Sequence, residues 1–277
     1  MRKCAAACLT LFALSLLAPS SWGEPPPGAD ILLKAHATGA LIPILSAQHP
    51  RMDVPAAYAV QKAYVSKRLA TDTIAGYKAG LTSVAGQKKF GVSAPLAGVL
   101  FGSGKRLNEA VLDRSAFKNL MLETEIGMVI GKPISGPIHD LAQLRASIRG
   151  FMPVMELPDL GFADMKAVTG IDLIAANVAA AQFITGTEKA GPSPDLNAIA
   201  VTLAADGKEI NRGQGTDAMG DQWQTALWLV NTMTAQGWQI QPGQILITGV
   251  LGKMVPGKPG RYVADYGEFG TITFEIK

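Results

Sequence analysis

Two glutamates lie two positions apart in a segment that is otherwise uncharged. Residues 122–130 read Leu-Glu-Thr-Glu-Ile-Gly-Met-Val-Ile, with Glu123 and Glu125 as the charged positions. Side chains alternate between the two faces of a strand, so both carboxylates are expected on one face. Neighbouring carboxylates repel each other and resist removal from water. The pair therefore calls either for a compensating cation or for contact with solvent.

The pattern alone leaves both interpretations of this pair open. Carboxylate oxygens are suited to a hard divalent cation, whereas the solvated face of an edge strand would also tolerate two glutamates. A third carboxylate, Glu156, ends the apolar run 151–155, where an isolated charge usually needs a partner. Three oxygen ligands with open positions for water and substrate would suit Mg²⁺ or Mn²⁺.

Lys78 is the second residue with candidate chemistry. It lies between Gly76 and Gly80 in a β-leaning stretch, and glycine permits close backbone approach in a strand. An inward-facing lysine there could stabilise a developing oxyanion or move protons. The alternative is a surface lysine on an edge strand.

Other catalytic devices are missing from the sequence. His36, His49 and His139 lack the spacing of an HExxH metal motif, and the chain contains neither a G-x-S-x-G elbow nor a Walker-type loop. Cys4 and Cys8 both fall within the N-terminal apolar segment. The mature chain is therefore expected to have no disulfide, thiolate nucleophile or cysteine metal site.

The first 23 residues have the anatomy of a secretory signal peptide. Arg2 and Lys3 form a basic start, residues 4–18 are uncharged and largely apolar, and a short turn-prone segment ends at Gly23. We expect cleavage after Gly23 and a periplasmic or secreted protein.

The charge balance argues against a nucleic-acid partner. The chain has 25 basic and 22 acidic residues, and removal of the signal peptide would leave it near neutral. It has no basic run and no aromatic–basic interleaving. No later apolar stretch approaches membrane length, so we expect no membrane partner after cleavage.

The periodicity predicts a helical N-terminal portion followed by a β-rich body, in a single α+β domain over residues 24–277. Helices are predicted within 31–47, with a break at Pro43, and over 53–69, 140–149 and 222–236. Strands are predicted at 74–81, 98–100, 120–130, 151–156, 182–185, 199–204, 244–248, 261–265 and 270–276.

An ordered set of short motifs along the mature chain resembles the family of 2-keto-4-pentenoate hydratases and 4-oxalocrotonate decarboxylases, within the fumarylacetoacetate hydrolase superfamily. Each motif alone is weak, but the ordered set is specific. The motifs lie at residues 76–83, 87, 90–92, 95–98, 123–126, 153–156, 172–177, 213–220, 226–229, 243–249, 251–256 and 267–270.

The resemblance implies a fumarylacetoacetate-hydrolase-like mixed β-roll with a short helical N-terminal portion, assembled as a homo-oligomer. It also implies Mg²⁺ or Mn²⁺ on the residues Glu123, Glu125 and Glu156, which favours the metal interpretation. Lys78 would line the active site. The implied substrate-binding residues are Leu81, Thr82, Ser83, Asn177, Thr248 and Gly249.

The implied reaction is the addition of water to a 2-hydroxydienoate, or 2-oxo-alkenoate, to give a 4-hydroxy-2-oxo acid. Decarboxylation of a 2-oxo acid is the alternative within the same family. Two departures favour a third possibility, an exported oxo-acid-binding protein with weak or no turnover. Leu96 and Ala176 stand where family members often carry acidic residues. A C–C bond hydrolase is the least favoured possibility, because no histidine matches the position expected for one.

Overall fold

The N-terminal half of the described chain contains most of the helices, and strands dominate the remainder. A computed structural model describes residues 28–277, so the predicted signal peptide at residues 1–23 lies outside the described residues. The helices are α1 (Ala29–Thr38), α2 (Leu45–Gln48), α3 (Val54–Arg68), α4 (Val84–Lys89), α5 (Leu141–Ser147), α6 (Gly170–Ala175) and α7 (Gln222–Ala235).

The strands run from the end of α3 to the C-terminus. They are β1 (Ile74–Gly80), β2 (Leu96–Phe101), β3 (Lys105–Leu107), β4 (Ala110–Leu112), β5 (Met121–Ile130), β6 (Ile148–Leu157), β7 (Gln182–Thr185), β8 (Lys189–Ala190), β9 (Ala200–Ala205), β10 (Lys208–Gln214), β11 (Ile245–Ile247), β12 (Val255–Pro256), β13 (Gly260–Asp265) and β14 (Thr271–Ile276).

The helical N-terminal portion follows its local signals. α1 ends at Gly39, whose φ of 62° suits a residue without a Cβ atom. The chain resumes helical structure only at Leu45, so the predicted break at Pro43 is confirmed. The Asp53 carboxylate accepts a hydrogen bond from the Ala56 N–H and caps α3, with Pro55 in its first turn.

Two mixed sheets form the β-rich body. The nine-stranded sheet has the order β2-β1-β11-β5-β6-β7-β3, with β12 paired to β5 and β8 paired to β6. The five-stranded sheet has the order β10-β9-β13-β14-β4. Three pairs are parallel, β1–β11, β3–β7 and β4–β14, and their partners come from distant parts of the chain. This mixed α+β architecture is the predicted fold class.

The strands that carry the glutamate pair and Lys78, β5 and β1, are interior strands of the large sheet. β5 lies between β11 and β6, and β1 lies between β2 and β11. On one face of β5, Leu122, Ile126 and Met128 pack in the main hydrophobic core. On the other face, Val129 packs in a smaller hydrophobic cluster. The alternative of an edge strand is therefore wrong for both the glutamate pair and Lys78.

Some boundaries differ from the sequence prediction. The helix predicted at 140–149 ends at Ser147, because Ile148 already pairs with Ile130 as the first residue of β6. The short helices α4 and α6, and several strands of two to seven residues (β3, β4, β8, β10 and β12), were not predicted. Most of them are too short to show a clear apolar periodicity, and β10 has only two buried residues, Asn211 and Gly213. Among residues 28–277, no helix has both the length and the apolar character needed to cross a membrane.

Candidate metal centre and active site

Three carboxylates meet where β5 and β6 pair. Glu123 and Glu156 are register partners, and Glu125 lies two residues further along β5, opposite Val154. One carboxylate oxygen from each glutamate lies within 4.8 Å of the others. Glu125 and Glu156 are fully buried, and Glu123 is half-buried. Strand alternation and strand pairing thus bring the three predicted ligands together.

The carboxylate oxygens are only partly satisfied by protein donors. The Gly249 N–H donates to Glu125 Oε2 at 2.7 Å, and Lys78 Nζ forms an ion pair with Glu156 Oε1. Within the described residues, Glu125 Oε1 and Glu156 Oε2 are buried without a hydrogen-bond partner. Buried unpaired carboxylate oxygens are costly. A divalent cation with oxygen ligands would satisfy both, so the site fits the implied metal.

Burial and the proximity of these carboxylates shift their pKa values. Burial and the nearby Glu156 carboxylate together raise the pKa of Glu123 to about 8, against the opposing effect of Lys78. Burial and the two neighbouring carboxylates raise the pKa of Glu125 well above its usual range. One lysine therefore does not neutralise the cluster, and further positive charge is needed to keep three carboxylates ionised.

Lys78 is buried beside this cluster. On β1 it lies between its register partners Gly98 on β2 and Ile247 on β11, and only 2% of its surface is exposed. Besides the ion pair with Glu156, Nζ donates to the Val178 carbonyl at 3.1 Å. Burial disfavours the ammonium form, but the three glutamates outweigh burial and raise the pKa of Lys78. The lysine is therefore a fixed positive charge at neutral pH.

A strained turn presents the Val178 carbonyl to this lysine. Asn177, Val178 and Ala179 have φ values of 56°, 52° and 54°, a left-handed conformation that costs about 1 kcal/mol or more per residue other than glycine. The buried Asn177 amide holds the turn against β2. Its Oδ1 accepts from the Val99 N–H at 2.7 Å, and its Nδ2 donates to the Val99 carbonyl at 2.8 Å.

A cavity of about 300 Å³ opens next to Lys78 and Glu123. The predicted substrate-binding residues Leu81, Thr82 and Ser83 line it, between β1 and α4. The rest of the lining is largely apolar and comes from β1, α4, α6 and the loops near them. These residues are Gly80, Gly86, Lys89, Phe90, Pro158, Leu160, Leu173, Val178, Val250, Gly252, Lys253 and Met254.

The other three predicted substrate-binding residues do not line this cavity. Asn177 holds the strained turn, as described above. The Thr248 hydroxyl is buried and donates to Gln222 Oε1 at 2.5 Å. Gly249 acts through its backbone, because its N–H holds Glu125, and at its φ of 103° an added Cβ would lie 2.6 Å from Thr82. These three residues support the site through buried contacts and do not line the cavity.

Tyr266 is a site residue that the sequence did not reveal. Its buried hydroxyl accepts from the Glu125 N–H at 3.1 Å and donates to the Val154 carbonyl at 2.7 Å, which ties β5 to β6 beside the carboxylates. It lies outside every motif named above, and its contact with Glu125 joins residues 141 positions apart in the chain.

We expect Tyr266→Phe to lower the free energy of unfolding by about 1–3 kcal/mol, since it leaves a buried N–H and a buried carbonyl without their partner. Urea denaturation measures this. The matched control is Tyr262→Phe, whose hydroxyl accepts from the N–H and donates to the carbonyl of the exposed residue Lys258. Equal losses for the two variants would contradict a special role for Tyr266.

The two departures from the family pattern lie away from the active-site cavity. Leu96 is buried in the main hydrophobic core, and Ala176 lines a different cavity. Neither residue lines the cavity that contains Lys78 and Glu123, although Leu96 pairs with the cavity residue Gly80 and Ala176 precedes the turn that binds Lys78.

Comparison with known proteins identifies the family. Residues 63–277 match the model of the fumarylacetoacetate (FAA) hydrolase C-terminal family. The chain belongs to this family. A 2-keto-4-pentenoate hydratase of Burkholderia vietnamiensis is 31% identical over 244 residues, which cover 87% of this chain and 93% of that protein. The predicted family and a hydratase-like enzyme are thus confirmed.

Decarboxylases of the same family are similar to a comparable degree. A 4-oxalocrotonate decarboxylase of Pseudomonas sp. strain CF600 is 28% identical over 221 residues, covering 79% of this chain and 83% of that protein. The solved structure of the Pseudomonas putida G7 4-oxalocrotonate decarboxylase, complexed with magnesium and adipate, has a TM-score of 0.84. It is 26% identical and covers 90% of this chain and 95% of that one. The predicted fold is confirmed.

Proposed function

We propose that this protein is a divalent-metal-dependent hydratase that adds water to a 2-hydroxydienoate or 2-oxo-alkenoate and yields a 4-hydroxy-2-oxo acid. The observation that carries the proposal is the buried lysine–triglutamate cluster at one end of a largely apolar cavity. Similarity to 2-keto-4-pentenoate hydratases over most of the chain supports the reaction class.

Glu123, Glu125 and Glu156 would hold the metal, with Mg²⁺ or Mn²⁺ as the proposed ion. The magnesium in the related decarboxylase structure supports a hard divalent cation. When bound, such an ion supplies Lewis-acid stabilisation of the negative charge that develops on the 2-oxo oxygen of a substrate. The Gly249 N–H orients the Glu125 carboxylate, and Tyr266 fixes the backbone of the same residue.

Lys78 supplies a second, permanent positive charge. Glu156 and the Val178 carbonyl hold its ammonium group in one place, so little reorganisation is needed when negative charge develops in the cavity. The ammonium group also carries protons that can be donated to a carbon or oxygen of the substrate. Its raised pKa keeps that proton in place at neutral pH.

The apolar part of the cavity suits the hydrocarbon portion of a short dienoate. Leu160, Leu173 and Val178 line it, and exclusion of bulk water strengthens every charge interaction inside. Ketonisation of the dienol conjugates the remaining alkene with the 2-oxo group. In this ketonisation C5 takes up a proton and the alkene moves to C3–C4, and water then adds to that alkene, with the hydroxyl on C4 and a proton on C3.

The proposed function is tested with purified protein, 2-hydroxypenta-2,4-dienoate and either Mn²⁺ or Mg²⁺. We expect loss of the dienoate ultraviolet absorbance and a product heavier by one water in the mass spectrum, and EDTA should abolish both. Absence of turnover, together with thermal stabilisation by metal plus oxalate, would instead indicate an oxo-acid-binding protein.

A specific observation favours the decarboxylase as the second candidate. Lys89 and Lys253 are exposed and line the cavity together with Lys78. In the part of the chain that is described, neither exposed lysine forms an ion pair. Two uncompensated cations at the opening would favour a substrate with a second carboxylate, such as 4-oxalocrotonate.

The double variant Lys89→Gln/Lys253→Gln separates the two candidates. If the substrate is a dicarboxylate, its KM should rise about tenfold, because two charge contacts are lost. The KM for the monocarboxylate 2-hydroxypenta-2,4-dienoate should change little. Steady-state kinetics with both substrates measures this difference. An unchanged KM for 4-oxalocrotonate would argue against the decarboxylase.

We also propose that residues 1–23 direct export and that the mature protein is a homo-oligomer. Fractionation of the native host followed by intact-mass measurement should find a chain beginning at Glu24 outside the cytoplasm. Size-exclusion chromatography with light scattering gives the subunit number. A full-length chain in the cytoplasm would contradict the export proposal.

A further inference from the structure

A second cavity, of about 330 Å³, lies between the N-terminal helices and the large sheet. None of its lining residues lines the active-site cavity. Its lining comes from helices α1 and α3, from the segment after β2, and from residues 116–118, 159–161 and 176–182. Its charged lining residues include Arg68, Arg106, Lys118 and Asp159.

This cavity, which we call the arginine cavity, carries an excess of positive charge. Arg68, Arg106 and Lys118 line it, against the single carboxylate of Asp159. That carboxylate is engaged by backbone N–H groups, from Lys118 at 2.9 Å and from Asn119 at 2.6 Å. Over residues 28–277, neither Arg106 nor Lys118 has a carboxylate within ion-pair distance. The excess charge favours an anionic occupant.

Two of the cations are held in place by the protein. The Arg68 guanidinium lies 3.7 Å from the Phe101 ring centroid and pairs with Asp72 at 3.0 Å, and its side chain is 12% exposed. A guanidinium has five N–H donors. Arg106 directs Nη1 to the carbonyls of Ser103 and Lys105. Both arginines keep further donors for a ligand at little entropic cost.

We propose that the arginine cavity is a second binding site, separate from the active site, for a small organic dianion such as a dicarboxylate. Arg68, Arg106 and Lys118 bind its two anionic groups. The site does not depend on the proposed hydratase activity, because none of its lining residues is a metal-binding glutamate or Lys78.

Malate is the probe, and isothermal titration calorimetry of the mature protein in EDTA is the measurement. EDTA prevents binding of malate through a metal at the glutamates. We expect one malate per chain, with affinity lowered about tenfold or more in Arg106→Gln/Lys118→Gln. Glu125→Ala should leave the affinity unchanged. The exposed pair Lys166→Gln/Lys208→Gln, which lines neither cavity, is the matched charge control.

Two results would overturn the proposal. The first is no binding at about 10 mM malate. The second is malate affinity that falls in Glu125→Ala, or that falls equally in the charge control.

Discussion

Replacing Lys78 by methionine should lower kcat for the dienoate by about 100-fold to 1000-fold, the range observed when one preorganised charge-stabilising donor is removed from an active site. Lys78 is the cation that the protein itself places between Glu156, the Val178 carbonyl and the active-site cavity. Methionine has a similar length and no charge. The loss should therefore appear mainly in kcat, with a smaller change in KM.

Two controls make this result specific to the ammonium group. Mn²⁺ binding to Lys78→Met should persist, because all three glutamates remain, and circular dichroism should show a folded chain. Lys166→Met removes an exposed lysine that lines neither cavity and should leave kcat unchanged. A Lys78→Met protein that binds Mn²⁺ and turns over at the wild-type rate would show that Lys78 has no part in the reaction.

The metal-free protein should lose stability as the pH rises from about 5 to 8, by an amount of several kcal/mol. Burial and the neighbouring Glu156 carboxylate raise the folded-state pKa of Glu123 to about 8 from an ordinary value of 4.5, and the pKa of Glu125 also rises. A raised carboxyl pKa means that the folded state binds protons more tightly than the unfolded state. Its stabilising effect is complete below the unfolded pKa and disappears as pH rises through the folded pKa.

Other titrating groups do not reverse this trend. The raised pKa of Lys78 stabilises the folded state throughout this window and is lost only at higher pH. The lowered pKa values of Asp72 and Asp221 affect stability only at more acidic pH. His36, whose pKa is lowered by burial and by Arg68, acts in the opposite direction near pH 6.5. A variant of the cluster isolates the contribution of the glutamates.

Urea denaturation in EDTA at several pH values, repeated with saturating Mn²⁺, measures this effect. Glu123→Gln should flatten the pH dependence, whereas Glu268→Gln, at an exposed position, should not. Stabilisation by Mn²⁺ should grow with pH, because the ion competes with protons for the carboxylates. Stability that stays constant or rises over this range in EDTA would contradict the buried, mutually repelling cluster.

Local pattern was sufficient to identify the face of the strand that carries the candidate ligands. Alternation placed Glu123 and Glu125 together, and the structure has both next to Glu156. The same pattern could not separate an edge strand from an interior one, because that depends on β11, which pairs with β5 from a distant part of the chain. The motif resemblance resolved this ambiguity in favour of a metal.

Long-range contacts account for what the sequence did not reveal. The Val178 carbonyl reaches Lys78 across 100 positions, through a left-handed turn that no propensity favours. Tyr266 had no motif of its own. Asn177 and Thr248 belong to the predicted site region, but their side chains face buried protein partners, and which way a side chain points is decided by packing.

A Mn²⁺ titration followed by electron paramagnetic resonance tests the proposed metal centre most directly. For the wild-type chain at pH 7.5 we predict one bound ion, detected as loss of the free-ion signal. Glu125→Ala should lower the affinity by two orders of magnitude or more, and Lys78→Met should still bind the ion. Wild-type affinity in Glu125→Ala, or no binding to the wild-type protein, would contradict a metal centre built from Glu123, Glu125 and Glu156.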